Sequence, residues 1–303
     1  MSEPVNERNM VREPKPEWGG SWTEKKLDAF EKYVSAYLRI MKPQKEKLGW
    51  KTIYFDGFAG SGDRIKTNSC ETLDIFDITE EEENLYKGAA ERVLNLKEGL
   101  SFDFHYFIDN DKIALANLES KLSKYQAGKI DFQYKNEDSN VVISDLAQAM
   151  KKGNYASLIL LDPFGMHINW NAIEKLKGTH SDVWILLPAG VIINRLLDKK
   201  CELKSYKILE SFLGIPKEEI EATFYRKENH DTLFGPEEKI RKISKPIEKI
   251  AEVYTQRLKT IWKFVTEKPL RLENTRGVPI FHFVFASNNP TGVKIASQII
   301  DKA

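Results

Sequence analysis

Three glycines within six residues follow a short apolar run, and this stretch constrains the fold more than any other. The run Ile53-Tyr54-Phe55 favours a β-strand, Asp56 comes where such a strand would end, and glycines follow at 57, 60 and 62. Glycine has no Cβ and tolerates positive φ, so the backbone here can turn sharply and let a ligand lie against it. A buried strand that leads into a glycine-rich turn is where open α/β sheets bind nucleotide-like ligands.

Two common nucleotide-binding motifs do not fit this stretch. A dinucleotide fingerprint needs G-x-G-x-x-G, but Ile65 stands where its third glycine would be. A phosphate-binding P-loop needs Lys and then Ser or Thr after its last glycine, whereas Asp63 and Arg64 follow Gly62. An acidic side chain in the place of that lysine would repel phosphates. The sequence therefore argues against a nucleotide-dependent oxidoreductase and against a P-loop.

The pattern that remains is D-x-F-x-G-x-G, formed by Asp56, Phe58, Gly60 and Gly62. It resembles motif I of Rossmann-like methyltransferases that use S-adenosylmethionine. That cofactor carries an adenosine and a methionine but no phosphate, so its loop needs no basic residue. The competing interpretation is a tight strand-to-loop turn that binds no ligand.

Acidic residues recur where the following predicted strands end, at Asp109, Asp138 and Asp162. A doubly wound sheet binds its ligand at the carboxyl ends of its strands. Asp109 is predicted to accept hydrogen bonds from the two ribose hydroxyls of the cofactor, and Asp111 is the competing choice, although it could simply cap the next helix. Asp138 resembles the acidic residue that contacts the adenine amino group in this enzyme class, and a helix cap is an equally good interpretation.

The run Asp162-Pro163-Phe164-Gly165 is the strongest catalytic signal. It resembles the D/N-P-P-Y/F motif of methyltransferases that act on exocyclic amino groups of bases. The Asp162 carboxylate and the Pro163 carbonyl would accept the two N–H groups of the amine, and Phe164 would offer a flat face for the base. The alternative is an Asp-Pro turn at the end of a strand.

Continuous apolar strands separated by amphipathic helices predict an α/β fold with a doubly wound, mostly parallel sheet. The turn 274–277 between the last two predicted strands suggests an antiparallel edge strand, which the resemblance to methyltransferases also implies, and extra helices are expected. The expected organisation is a flexible N-terminal arm (1–20) and a single methyltransferase-like domain (21–303), with an acidic insertion at 64–87 and a helical, basic elaboration at 191–267. The helices are expected at about 24–41 (ended by Pro43), 195–207, 217–225 and 244–266.

Composition excludes several functional classes. The chain has 303 residues, 41% of them hydrophobic and 30% charged, and no apolar run approaches the ~20 residues of a membrane span. Two cysteines and five histidines show no disulfide framework and no metal-ligand spacing, so we expect a cytoplasmic protein without a metal site. Residues 166–303 hold 23 basic and 17 acidic side chains, which is compatible with a polyanionic partner.

Taken in order, the motifs resemble the three-Cys-motif partner protein family, whose members are Rossmann-like and methyltransferase-related. The matching segments span most of residues 24–300 and are 54–62, 106–109, 138–140, 160–165, 194–195 and 283–287. With the motifs above, this implies an S-adenosylmethionine-dependent methyltransferase that acts on an exocyclic amine of a DNA or RNA base. The alternative is a cofactor-binding subunit with weak activity of its own that supports a three-Cys-motif protein. Adenine and guanine both remain open as targets.

Overall fold

The computed structural model describes residues 20–60, 88–96, 99–125, 131–163, 165–232, 235–274 and 276–303. The strands in these ranges are Lys51–Asp56 (β1), Phe104–Ile108 (β2), Asp131–Lys135 (β3), Tyr155–Leu161 (β4), Ser181–Leu187 (β5), Tyr225–Thr232 (β6), Gly235–Lys242 (β7), Phe264–Val265 (β8), Leu270–Glu273 (β9) and Pro279–Ser287 (β10). The α-helices are Gly20–Leu48 (α1), Gly88–Leu94 (α2), Lys112–Leu122 (α3), Ser139–Lys152 (α4), Trp170–Lys175 (α5), Asn194–Leu196 (α6), Tyr206–Leu213 (α7), Lys217–Phe224 (α8), Pro246–Leu258 (α9) and Pro290–Asp301 (α10).

Eight strands form one mostly parallel sheet in the order β3-β2-β1-β4-β5-β10, with β8 and β9 on the outer side of β10. Strands β1 to β5 pair in parallel, and β10 runs antiparallel to β5 near the sheet edge. The predicted fold class, a doubly wound α/β fold with an antiparallel strand at one edge, is therefore confirmed. None of the helices in the described part of the chain is long and apolar enough to cross a membrane.

The central strands are largely apolar because helices cover both faces of the sheet. Successive side chains of a strand point to opposite faces, and accordingly Phe55 enters one hydrophobic core while its neighbour Tyr54 enters the other. All seven residues of β5 are buried. Helices α4, α5, α7 and α9 contribute to the first core, and α1, α2, α3 and α10 to the second. Such burial contributes ~1.5–3 kcal/mol for each large apolar side chain.

The first helix is longer than predicted. The expected end at Pro43 is wrong, since α1 continues through that proline to Leu48 and ends before Gly49, which has φ +66°. A proline inside a helix removes one backbone hydrogen bond and costs ~3 kcal/mol or more. Residues 42–44, around this proline, are exposed to solvent.

The basic elaboration is not purely helical. Residues 225–232 and 235–242, where no strand was expected, pair as the antiparallel strands β6 and β7, called the hairpin below. The predicted helix 195–207 is instead the end of the short α6, irregular chain and the first residues of α7, and a π-helical turn (Ala189–Ile193) precedes α6. The hairpin has no apolar stripe to reveal it; cross-strand ion pairs, Lys227 to Glu238 (2.9 Å) and Arg241 to Glu228 (3.2 Å), connect its strands. Helix α8 was predicted correctly, and α9 ends earlier, at Leu258. The insertion at 64–87 and residues 1–19 lie outside the described residues.

Candidate functional site

Three of the predicted acidic residues lie at the carboxyl edge of the sheet, where its strand order reverses. Asp56 is the last residue of β1, Asp162 follows β4, and Asp109 follows β2. Strands β2 and β3 lie on one side of β1, and β4 and β5 on the other, so the switch point falls between β1 and β4. Ligands of open α/β sheets bind in the crevice at such a point. The sheet topology therefore brings these carboxylates to the expected edge.

The glycine turn crosses the ends of the neighbouring strands. The Gly57 N–H donates to the Leu160 carbonyl (3.0 Å), and the Ala59 N–H donates to the Ile108 carbonyl (2.9 Å). A Cβ on Gly57 would lie 2.7 Å from the buried Leu161 side chain, so a larger residue there would have to displace that side chain. Gly60 has φ +64°, a conformation that favours glycine. Gly62, the last glycine of the predicted motif, lies outside the described residues.

Asp109 is held against the glycine turn. Its carboxylate accepts the Gly60 N–H (2.8 Å) and the Asp111 N–H (2.8 Å), and the side chain is half-buried. Asp111 has a different role, because its carboxylate caps α3 by accepting the N–H groups of Ile113 (2.8 Å) and Ala114 (3.1 Å). Of the two candidates for the ribose contact, Asp109 thus lies beside the turn and Asp111 serves the helix.

Asp138 caps helix α4. It is exposed, and its carboxylate accepts both the backbone N–H and the side-chain amide of Asn140, each at 2.8 Å. The predicted adenine contact stays a prediction, and the helix cap accounts for these hydrogen bonds. Phe58 is half-buried against the core and donates its N–H to Asp56 (3.3 Å).

Asp162 forms a buried ion pair that the sequence interpretation did not include. Its carboxylate accepts from the Lys26 ammonium of α1, and the two side chains are 4% and 3% exposed. Burial raises the pKa of Asp162, and the positive charge of Lys26 opposes that increase. The Lys26 ammonium also lies 5.6 Å from the centre of the Trp22 ring. The predicted amine-orienting carboxylate is therefore held in place by a cation from α1.

Asp56 is a buried carboxyl next to this ion pair. Burial raises its pKa from 3.8 to about 7, hydrogen bonds from Tyr54 and Phe58 partly oppose the increase, and the charges of Asp162 and Asp109 add to it. The Tyr54 hydroxyl lies 3.0 Å from the carboxylate. Near neutral pH this carboxyl therefore exists in both its protonated and its ionised form.

Hydrogen bonds connect the three loops of this edge. The Ser139 hydroxyl, at the start of α4, donates to the Gly57 carbonyl of the glycine turn. The Asn140 side chain donates to the His167 carbonyl (2.8 Å) and accepts the Asn169 N–H (2.8 Å). The glycine turn, the start of α4 and the loop that follows β4 are thus fixed relative to each other. Pro163 is buried in that loop, and Phe164 lies outside the described residues.

The residues missed from the sequence are Lys26, Ser139 and Asn140. A signal for Lys26 existed, because Trp22, Lys26 and Phe30 are spaced four apart and therefore share one face of α1. Phe30 is 1% exposed, so a lysine on that face must have a buried partner. In the described ranges no three His, Cys, Asp or Glu side chains are grouped as metal ligands would be.

Comparison with protein-family models gives no match for this chain, and a search of curated proteins finds no similar sequence. The resemblance to the three-Cys-motif partner family therefore depends on the quoted motifs alone and stays a prediction.

Proposed function

We propose that the chain is an S-adenosylmethionine-dependent methyltransferase that acts on an exocyclic amino group of a nucleic-acid base. The observation that supports it most is the contact between Gly60 and Asp109 at the switch point of the sheet. It puts a carboxylate that can accept hydroxyl groups directly beside a turn against which a ligand can lie. A cytoplasmic location stays a prediction.

The residues of the turn fit a cofactor that contains a ribose but no phosphate. Asp56 to Gly60 include no basic side chain. Gly60 has a positive φ and no Cβ, so a ligand could lie directly against its backbone. Asp109 would accept hydrogen bonds from the ribose hydroxyls, each worth ~1.5–3 kcal/mol because the acceptor is charged. S-adenosylmethionine, when bound there, supplies an electrophilic methyl group on a sulfonium.

Asp162 and Pro163 would orient the amine that accepts the methyl group. An aromatic amine is a weak nucleophile, since its lone pair is conjugated with the ring. Two acceptors that bind its N–H groups favour the pyramidal geometry in which that lone pair can attack. A carboxylate can accept about four hydrogen bonds, so Asp162 can serve Lys26 and the amine together. Proline fixes the backbone and with it the direction of its carbonyl.

A second candidate function is a cofactor-binding subunit with weak activity of its own, which supports a three-Cys-motif protein. The buried ion pair of Lys26 and Asp162 favours it, because a carboxylate paired with a lysine can serve the stability of the fold alone. The two functions predict different results when the chain is assayed alone for methyl transfer. The methyltransferase alone modifies DNA or RNA, whereas the subunit needs the second protein.

Calorimetric titration with S-adenosylmethionine and with NAD tests the cofactor. We expect S-adenosylmethionine to bind and NAD to bind weakly or not at all. Gly60→Val should abolish that binding, while Gly49→Val is the matched control: Gly49 has nearly the same φ, +66°, but follows α1 on the opposite side of the fold. Wild-type affinity in a folded Gly60→Val variant would contradict the proposed site.

A matched pair of variants, at Asp109 and at Asp111, tests the proposed ribose contact. Asp109→Ala should weaken the binding of S-adenosylmethionine by ~1.5–3 kcal/mol or more, or about tenfold to a hundredfold. Asp111→Ala should instead destabilise α3 by ~1 kcal/mol through the lost cap and leave the affinity unchanged. The opposite pattern would move the ribose contact to Asp111.

A further inference from the structure

A cavity of about 450 Å³ lies at the amino edge of the sheet. Its walls come from the second half of α1, the first residues of β4 and β5, and the start of α10, and include Tyr37, Trp50, Ala156, Asp182, Lys263 and Asn288. Ala156 and Asp182 are the second residues of β4 and β5, whereas Asp162 follows the other end of β4. The cavity and the candidate methyltransferase site therefore lie at opposite edges of the sheet.

Asp182 supplies a buried carboxylate to this cavity. It accepts hydrogen bonds from the hydroxyls of Tyr33 (2.6 Å) and Ser287, and it forms no ion pair with any residue of the described ranges. Burial raises its pKa to about 6, and the two hydroxyls oppose the increase, so it is mainly ionised at pH 7. A carboxylate with two hydroxyl partners keeps acceptor capacity for further N–H donors.

Tyr37 adds to the described part of the cavity wall a buried hydroxyl without a hydrogen-bond partner. It is 5% exposed, and its hydroxyl has no hydrogen-bond partner within the described part of the chain. A buried polar group without a partner costs ~1–3 kcal/mol. Its ring, with the half-buried Trp50, also gives the cavity flat apolar surface.

The mouth of the cavity carries a positive charge, opposite to that of Asp182. Lys263 is exposed there, and its ammonium contacts no acidic side chain among the described residues. The twelve-residue helix α10 begins beside it, capped by Asn289. The first turn of α10 faces Asp182 instead, since a Cβ on Gly292 would lie 3.4 Å from the Asp182 carboxylate, so Lys263 is the group that favours an anion at the mouth.

We propose that this cavity binds a small ligand that joins an anionic group to a planar ring with two adjacent N–H donors, as a guanine mononucleotide does. The N–H pair would face Asp182, since a carboxylate accepts two parallel N–H groups with good geometry. The anionic group would lie at Lys263, at the mouth of the cavity. A volume of about 450 Å³ lies in the ordinary range of ligand sites.

Calorimetry with three related ligands tests each half of this proposal on the unchanged protein. GMP is the probe, IMP lacks its exocyclic amine, and guanosine lacks its phosphate. We expect GMP to bind at least tenfold more tightly than either. Equal binding of the three, or no binding of GMP at millimolar concentration, would overturn the proposal.

Two variants then test which residue binds the N–H pair of the ligand and which binds its anionic group. Asp182→Asn should remove the preference for GMP over IMP, and Lys263→Met should remove the preference for GMP over guanosine. Lys259→Met, which changes an exposed lysine outside the cavity wall, should alter neither. A preference for GMP over IMP that survives in folded Asp182→Asn, or GMP binding that S-adenosylmethionine displaces, would refute the assignment. If Asp182→Asn does not fold, the comparison of ligands on the wild type still decides.

Discussion

The buried carboxyl of Asp56 predicts an unusual dependence of stability on pH. Asp56 is 2% exposed, and its pKa is about 7 in the folded protein against 3.8 ordinarily. Because the folded pKa is the higher one, the folded state binds the additional proton, and stability is lost as the pH rises from about 4 to about 7. Roughly three pKa units at 1.36 kcal/mol each make this loss ~4 kcal/mol.

Asp56→Asn removes the titrating group and keeps its size. Relative to the wild type, the variant should gain ~2–3 kcal/mol of unfolding free energy between pH 5 and pH 8, because most of the interval between the two pKa values lies there. Urea unfolding of both proteins at one-unit steps of pH measures the difference. A difference that stays constant within ~0.5 kcal/mol over this range would refute the reasoning.

Asp103 provides a control, because its effect on stability should change with pH in the opposite direction. Burial would raise its pKa, but hydrogen bonds from Thr52 and Lys45 overcome that effect and hold the pKa below its ordinary value. Its contribution to stability is therefore present above the unfolded pKa and lost as the pH falls through the folded one. Asp103→Asn should accordingly become less harmful at low pH, whereas the benefit of Asp56→Asn should shrink there.

Two further changes test the ion pair and the hairpin. Lys26→Met should lower the unfolding free energy by ~3–5 kcal/mol, because it leaves the buried Asp162 carboxylate without its cation; urea unfolding measures it, and the double variant Lys26→Met/Asp162→Asn should recover a large part. Lys242 donates to the Asn194 carbonyl (2.5 Å), the Asn194 side chain (2.7 Å) and the Leu197 carbonyl (2.5 Å). Lys242→Met should cost ~1–3 kcal/mol and speed hydrogen exchange in 225–242, and unchanged exchange would contradict this anchoring role.

The sheet could be predicted because its strands have a simple pattern. Buried parallel strands are short apolar runs, and 158–161 and 182–187 of the predicted strands fall within β4 and β5. Their order also follows from a general rule, since ligand-binding sheets of this kind reverse their order beside the first strand. Because of that rule, Asp56, Asp109 and Asp162 could be predicted from the sequence to lie at one edge of the sheet.

The contacts between distant segments could not be predicted. Lys26 and Asp162 are separated by 136 positions, and nothing local in either segment specifies the partner. Asp109 and Asp111 have the same side chain, and only the three-dimensional structure shows that one lies beside Gly60 and the other caps a helix. The hairpin β6–β7 was missed because its side chains are mostly charged and show no alternation of apolar and polar residues.

Transfer of a tritiated methyl group from S-adenosylmethionine to bulk DNA and RNA is the most direct test of the proposed function. We expect the chain alone to label one of them, with the label on an exocyclic base amine. Asp162→Asn keeps a hydrogen-bond acceptor for Lys26 but removes the negative charge that compensates it, so we expect a less stable protein. The folded variant should bind S-adenosylmethionine nearly as well as the wild type and transfer far more slowly, because the lost interaction acts mainly in the transition state. Equal transfer by both proteins, or no transfer by a wild type that binds the cofactor, would contradict the account.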